Sequence, residues 1–237
     1  MTKKIIMIMG VNRSGTNALR ESLSNDSKVN AFNEHKNNEF FVDYYLRPKK
    51  KIRPLIHKSL RPILLKPINE SRIRSVSDVL EEYKNYDVRI IWIYRDPVNV
   101  HQSQKSFYNK PPRQYPKYKD VDWFIKDWNE RNKSILFALK DYKKNIVIIK
   151  YEDIILSPSV FWNVCEFVEI KGKYLFRKDS LNGRKFLPEE VKAKIDEKTS
   201  SVLKNLDQNR TFRPSATSKM FGVSKVQRFF ARKKAFK

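Results

Sequence analysis

The stretch KKIIMIMGVNRSGTNALRESL, Lys3 to Leu23, decides the fold. Its first half is a short unbroken apolar run ending at Gly10, the pattern of a strand buried on both faces of a parallel sheet. Its second half, from Thr16, is helical in pattern, with Leu19 and Leu23 four positions apart on one face. Between them, Gly10-Val11-Asn12-Arg13-Ser14-Gly15-Thr16-Asn17 has the first glycine, the four-residue gap and the second glycine of a phosphate-binding loop. Backbone N–H groups at such a turn, aimed along a helix N-terminus, hold an anion without any side chain. The chain has only five glycines and two of them frame this turn, which favours backbone recognition over an ordinary strand-to-helix turn.

The lysine of a nucleoside-triphosphate loop is missing. Thr16 stands in its place, and Asn17 stands where a Ser or Thr would hold Mg²⁺. ATP or GTP hydrolysis with Mg²⁺ is therefore disfavoured. Arg13 supplies a cation from inside the loop. A single 5′-phosphate beside an arginine suits a nucleotide whose terminal group is not a phosphate chain.

Outward from this loop, KVNAF reads as a second short strand ending at Asn33-Glu34-His35. VRIIWIY reads as a strand stopping at Arg95-Asp96-Pro97, and NIVIIKY as one stopping at Glu152-Asp153. A helix over about 120–142 shares one face among Val121, Phe124, Ile125, Trp128, Ile135, Leu136 and Leu139. Ser157 and Pro158 read as the N-cap and first turn of the next helix, and LPEEVKAKIDEKTSSVLKNL as a last long one. Alternating strands and helices predict an α/β fold. It is a doubly wound parallel sheet of about four to five strands flanked by helices, with ligands beyond the carboxyl ends of the strands.

One domain over 1–206 is expected. A basic, proline-broken insert at about 47–74, a Pro/Tyr/Lys loop at 109–119 and a basic tail at 207–237 look like additions to that frame. The tail interleaves Phe229, Phe230 and Phe236 with basic residues, a pattern suited to an acidic membrane surface, although a solvated terminus explains it equally.

Composition sets the bounds. The chain has 237 residues, 40% hydrophobic and 13% aromatic, enough for one sizeable core. Fifty Lys and Arg against 26 acidic residues give a net charge of +24, which points to anionic partners or to a lysine-rich solvated surface. A lone cysteine, Cys165 in the apolar run VFWNVCEFV, excludes an internal disulfide and reads as a core residue. Three histidines, His35, His57 and His101, do not suggest a metal site. No run approaches a membrane span and IIMIM is too short for a signal-peptide core, so the expected compartment is the cytoplasm.

Together these stretches resemble the sulfotransferases, which move a sulfuryl group from 3′-phosphoadenosine 5′-phosphosulfate (PAPS) to an acceptor hydroxyl or amine. GVNRSGTNALRESL is similar to the family's 5′-phosphosulfate loop and implies contacts from Arg13, Ser14, Gly15, Thr16 and Asn17. IIWIYRDPVNVHQSQKSF is similar to its second motif, a strand-end Arg followed eight positions later by a Ser, which implies that Arg95 and Ser103 bind the 3′-phosphate. IVIIKYEDIILSP implies that Tyr151 touches the nucleotide. FRKDSLNGRKFLPEEV is similar to the basic loop that closes on the 3′-phosphate, with Arg177, Lys178, Arg184 and Lys185 as its cations.

In the tyrosylprotein-type enzymes a Glu follows the loop Arg by 21 positions, and Glu34 stands there in this chain. The resemblance implies Glu34 as general base, His35 as the alternative base and Arg13 on the leaving group, with no metal. It leaves the acceptor open: a glycan, a glycolipid or a small molecule. A P-loop kinase lacks its lysine here. A non-catalytic polyanion binder leaves Arg95, Ser103 and Glu34 without a purpose. No specific nucleic acid is expected.

Overall fold

In the computed structural model, which describes residues 3–32, 46, 54, 56–108, 120–177 and 187–214, the opening apolar run is the central strand of a parallel sheet. This strand, β1 (Lys4–Met9), carries five consecutive fully buried residues, Ile5 to Met9. It pairs on one side with β3 (Ile63–Leu65), Ile5 opposite Ile63, and on the other with β4 (Asp87–Tyr94), Ile5 opposite Val88. β2 (Asn30–Ala31) extends the sheet beyond β3, and β5 (Ile146–Lys150) extends it beyond β4. The order among the described residues is β2-β3-β1-β4-β5, all parallel.

Alternation along β1 feeds two cores. Ile5, Met7 and Met9 face α2 (Val76–Glu82), α4 (Val121–Ala138) and α7 (Glu189–Gln208). Ile6 and Ile8 face α1 (Thr16–Leu23), α5 (Tyr151–Leu156) and α6 (Pro158–Val168). α1, which follows β1, packs Leu19 and Leu23 into the second core. α3 (Pro97–Tyr108), which follows β4, packs Val100 into the first. Neighbouring strands thus send their helices to opposite faces, and a crevice opens between their carboxyl ends.

Several expectations are met closely. Phe124, Ile125, Trp128 and Ile135 of α4 are buried, and Val121, Leu136 and Leu139 pack partly against them. Cys165 lies in the second core, where burial pushes its thiol up to about 11. Other expectations need correction. α4 ends at Ala138, short of 142. Tyr151 is not the last residue of a strand but the first of α5. Ser157 and Pro158 do stand at the N-cap and first turn of α6, but the Ser157 hydroxyl makes no bond to the helix backbone and lies 2.7 Å from that of Ser159.

The segment read as a basic addition at 47–74 contains β3, which sits inside the sheet. The two prolines that flank β3, Pro62 and Pro67, lie just outside the paired residues, where a missing N–H costs the ladder nothing. Within the stretch read as a tail, Thr211 packs on the domain. Thr211 donates its N–H to Ile148 O at 2.9 Å, and its Oγ1 accepts from Ile148 N at 3.0 Å, along β5. The tail beyond 214 and the loop 109–119 lie outside the described residues. Among the described residues no helix is long and apolar enough to cross a membrane.

His101 of α3 is buried, with its ring 4.8 Å from that of Phe124. Burial, then Lys105, push its imidazole down to about 4, against a smaller opposing pull from Asp120. A histidine held neutral in the fold contributes full stability above its unfolded value, and that contribution is lost as pH falls from about 6.5 to 4. Urea unfolding should therefore show about 2 kcal/mol lost through this residue between pH 7 and pH 5. His101→Leu should flatten that dependence. An equally steep loss in the variant would assign it to other groups.

Candidate functional site

The loop between β1 and α1 is shaped by lack of room. Gly10 has φ 146°, and a Cβ placed there would lie 2.2 Å from the carbonyl oxygen of Ile93 on β4. Gly15 has φ 96° and caps α1; a Cβ there would lie 2.2 Å from Cδ2 of the Tyr151 ring. Between them Arg13 takes the left-handed φ of 75°, uncommon for a side-chain-bearing residue. The Ser14 N–H closes the turn onto Val11 O at 3.1 Å.

What remains has the geometry of an anion cradle. The N–H groups of Thr16, Asn17 and Ala18 open α1 and have no acceptor within the helix. The first turn carries no acidic side chain, so nothing opposes a negative ligand at the positive end of the helix dipole. The Ser14 hydroxyl is fully buried and has no hydrogen-bond partner among the described residues. A buried orphan hydroxyl in such a loop fits an anion's oxygen.

The two sequence motifs meet here. Arg13 Nε donates to Ser103 Oγ at 3.1 Å, and its guanidinium lies 4.3 Å from the centre of the Phe107 ring. Arg95, just past the end of β4, lies with its guanidinium 4.9 Å from the centre of the Tyr151 ring. The same ring covers Gly15, so Tyr151 joins the strand-end arginine to the loop. Arg95 Nε is 3.7 Å from Glu152 Oε1, which also accepts the Asp96 N–H at 3.3 Å. Burial pushes the Glu152 carboxyl up, against the pull of Arg95. Phe176 packs 6.1 Å from Tyr151 and brings the chain to Arg177, whose side chain is exposed.

Sequence reasoning missed Lys66. It is buried at the carboxyl end of β3, and its Nζ lies 2.5 Å from Asn17 Oδ1 at the mouth of the loop. The signal was present, since a lysine ends the apolar run ILL. It is hidden in the sequence because that run lies inside a strongly basic, proline-broken stretch. Glu152 was likewise passed over as a strand terminator.

Glu34, His35, Lys178, Arg184 and Lys185 lie outside the described residues. Among the described residues no group of His, Cys, Asp and Glu is placed to hold a metal ion. An open cavity of about 510 Å³ runs along α7, lined by Asp196, Leu203, Asp207 and Arg210, and contains none of the loop residues.

Comparison with known proteins agrees with this geometry. The family described as the sulfotransferase domain matches residues 3–236. No curated protein sequence matches the chain. Among solved structures, a sulfotransferase from Alicyclobacillus acidocaldarius superposes with a TM-score of 0.64 at 12% identity, over 92% of this chain and 100% of that one. A mouse sulfotransferase complexed with PAP gives a TM-score of 0.51 at 17% identity, over 98% and 83%. A sulfotransferase from Mycobacterium tuberculosis gives 0.53 at 11% identity, over 85% and 77%. At these identities the structural likeness speaks for the fold.

The contact between Gly15 and Tyr151 is testable by a double-mutant cycle. Gly15→Ala should cost about 2–4 kcal/mol, combining a left-handed backbone with overpacking against the ring. In a Tyr151→Ala background the overpacking part should vanish, so the same change should cost at least about 1 kcal/mol less. Equal costs in both backgrounds, read from denaturant midpoints, would disprove the contact.

Proposed function

The chain belongs to the sulfotransferase domain family, and from that premise we propose that it transfers a sulfuryl group from PAPS to an acceptor hydroxyl on a glycan, glycolipid or small molecule. One observation carries the reading: Arg13 of the first motif is hydrogen-bonded to Ser103 of the second. Two stretches 90 positions apart in sequence thus meet at one place, which supports a single nucleotide site built from both.

The residues suit such a nucleotide. The α1 N-terminus and the Ser14 hydroxyl receive the 5′-phosphate side. Arg95 and Ser103 receive the 3′-phosphate. The positive charge comes from side chains: Arg13, Lys66 and Arg95. In the transfer, Glu34 takes the acceptor's proton as the acceptor oxygen forms its bond to sulfur. The bond from sulfur to the bridging oxygen breaks, and its electron pair stays on the 5′-phosphate. Arg13, and Lys66 beside Asn17, stabilise the charge that collects there. Preorganised cations of this kind act without reorganising during the reaction.

Adenosine 3′,5′-bisphosphate should bind without Mg²⁺ and raise the melting temperature. Arg95→Ala should weaken that binding by about 1.5–3 kcal/mol by calorimetry, the range for a charged hydrogen bond. Unchanged affinity removes the 3′-phosphate assignment. Stabilisation by ATP with Mg²⁺, or by heparin alone, argues for a kinase or a polyanion binder instead.

The base is tested separately. Glu34→Gln should lower turnover about 10²–10⁴-fold with nucleotide affinity nearly intact, and His35→Asn should do much less. The reverse ranking makes His35 the base.

A further inference from the structure

Behind the loop lies a residue that none of the motifs contains. Arg131 of α4 is 1% exposed. Its Nε donates to Ser71 Oγ at 2.9 Å and its Nη1 to Asn12 Oδ1 at 3.1 Å. Its Nη2 donates to two backbone carbonyls, those of Gly10 and Ile68. Asp127, one turn earlier on α4, stands 3.6 Å from Nη1 and is itself held by Arg72 in two bonds of 2.7 and 2.9 Å. A second device works on the same loop from α3. Gln104, fully buried, donates Nε2 to Asn12 O at 3.0 Å, and Tyr108 OH accepts from Asn12 Nδ2 at 3.1 Å.

In a trans peptide the carbonyl of one residue and the N–H of the next point in opposite directions. Drawing the Gly10 and Asn12 carbonyls inward therefore turns the N–H groups of Val11 and Arg13 the other way. An anion loop works only if its carbonyls are kept off the ligand. Bonds to both Gly10 O and Ile68 O also fix the end of β1 against the segment that follows Lys66. Only a planar fork with several donors can reach four acceptors at once; an ammonium cannot reproduce that geometry.

We propose that Arg131 is a positioning residue for nucleotide binding: it sets the polarity of the phosphate loop and its register against Lys66, with Gln104 as its counterpart from α3. The inference rests on the nucleotide reading given above.

The test is calorimetric titration of wild type, Arg131→Lys and Arg131→Gln with adenosine 3′,5′-bisphosphate, beside thermal unfolding of each. The expected result is cooperative unfolding with affinity lowered at least tenfold in Arg131→Lys and further in Arg131→Gln. KM for PAPS should rise by a similar factor. A merely structural role would lower the melting temperature and leave the affinity of the folded protein alone. A folded Arg131→Lys that binds with less than a threefold loss therefore overturns the proposal. If neither Arg131 variant folds, Gln104→Met decides, since it removes only the hold on Asn12 O. A loss of threefold or more supports the proposal, and a smaller one overturns it. A wild-type chain that fails to bind overturns the nucleotide reading and this inference together.

Discussion

The molecule depends on one close passage. Where β1 ends, the backbone at Gly10 runs so near the Ile93 carbonyl of β4 that no side-chain carbon fits between them. That approach is possible because β1 is buried on both faces and pinned on both sides by parallel neighbours. It lets the chain leave the sheet abruptly, turn within six residues and enter α1 with its first N–H groups unclaimed among the described residues. A wider exit would leave those groups pointing at no common spot.

The residues proposed for nucleotide binding are hung on that exit. β4 contributes the wall at Ile93 and, past its end, Arg95. α5 starts with Tyr151, whose ring lies over Gly15 and beside Arg95. α3 presents Ser103 to Arg13 on one side and Gln104 to the loop backbone on the next residue. The elements that build the sheet's two cores thus also fix the candidate site, so packing and the proposed ligand contacts share residues and are not separable by simple truncation.

Much of this was legible in the sequence, for stated reasons. Strands buried on both faces announce themselves as unbroken apolar runs, and KIIMIM and VRIIWIY did so. The paired glycines and the spacing of Arg95 to Ser103 pointed to residues that the fold brings near one another, through Arg13 on Ser103 and through Tyr151 between Gly15 and Arg95. β3 was not legible, because a strand of three residues carries no period to read and lies in a strongly basic stretch. With β3 went Lys66, which is interpretable only once its strand is placed beside β1. Arg131 had no local signal at all: on α4 it is one charge among many, and its role exists only through carbonyls supplied by residues 10 and 68. Long-range polar contacts of that kind leave no mark on periodicity.

The contact of Thr211 with β5 bears on association between molecules. β5 is the last strand of the described sheet, and the backbone groups of Ile148 would otherwise be offered sideways. Open strand edges rich in β-branched residues recruit strands from other copies. By folding back after α7, the chain fills that vacancy with its own residue at Ile148, where a second copy could otherwise dock. A shortened chain stopping before Thr211 would lose that cover, together with the packing of Phe212 on the second core, and would carry a sticky margin, so that its failure would be one of solubility before it was one of catalysis.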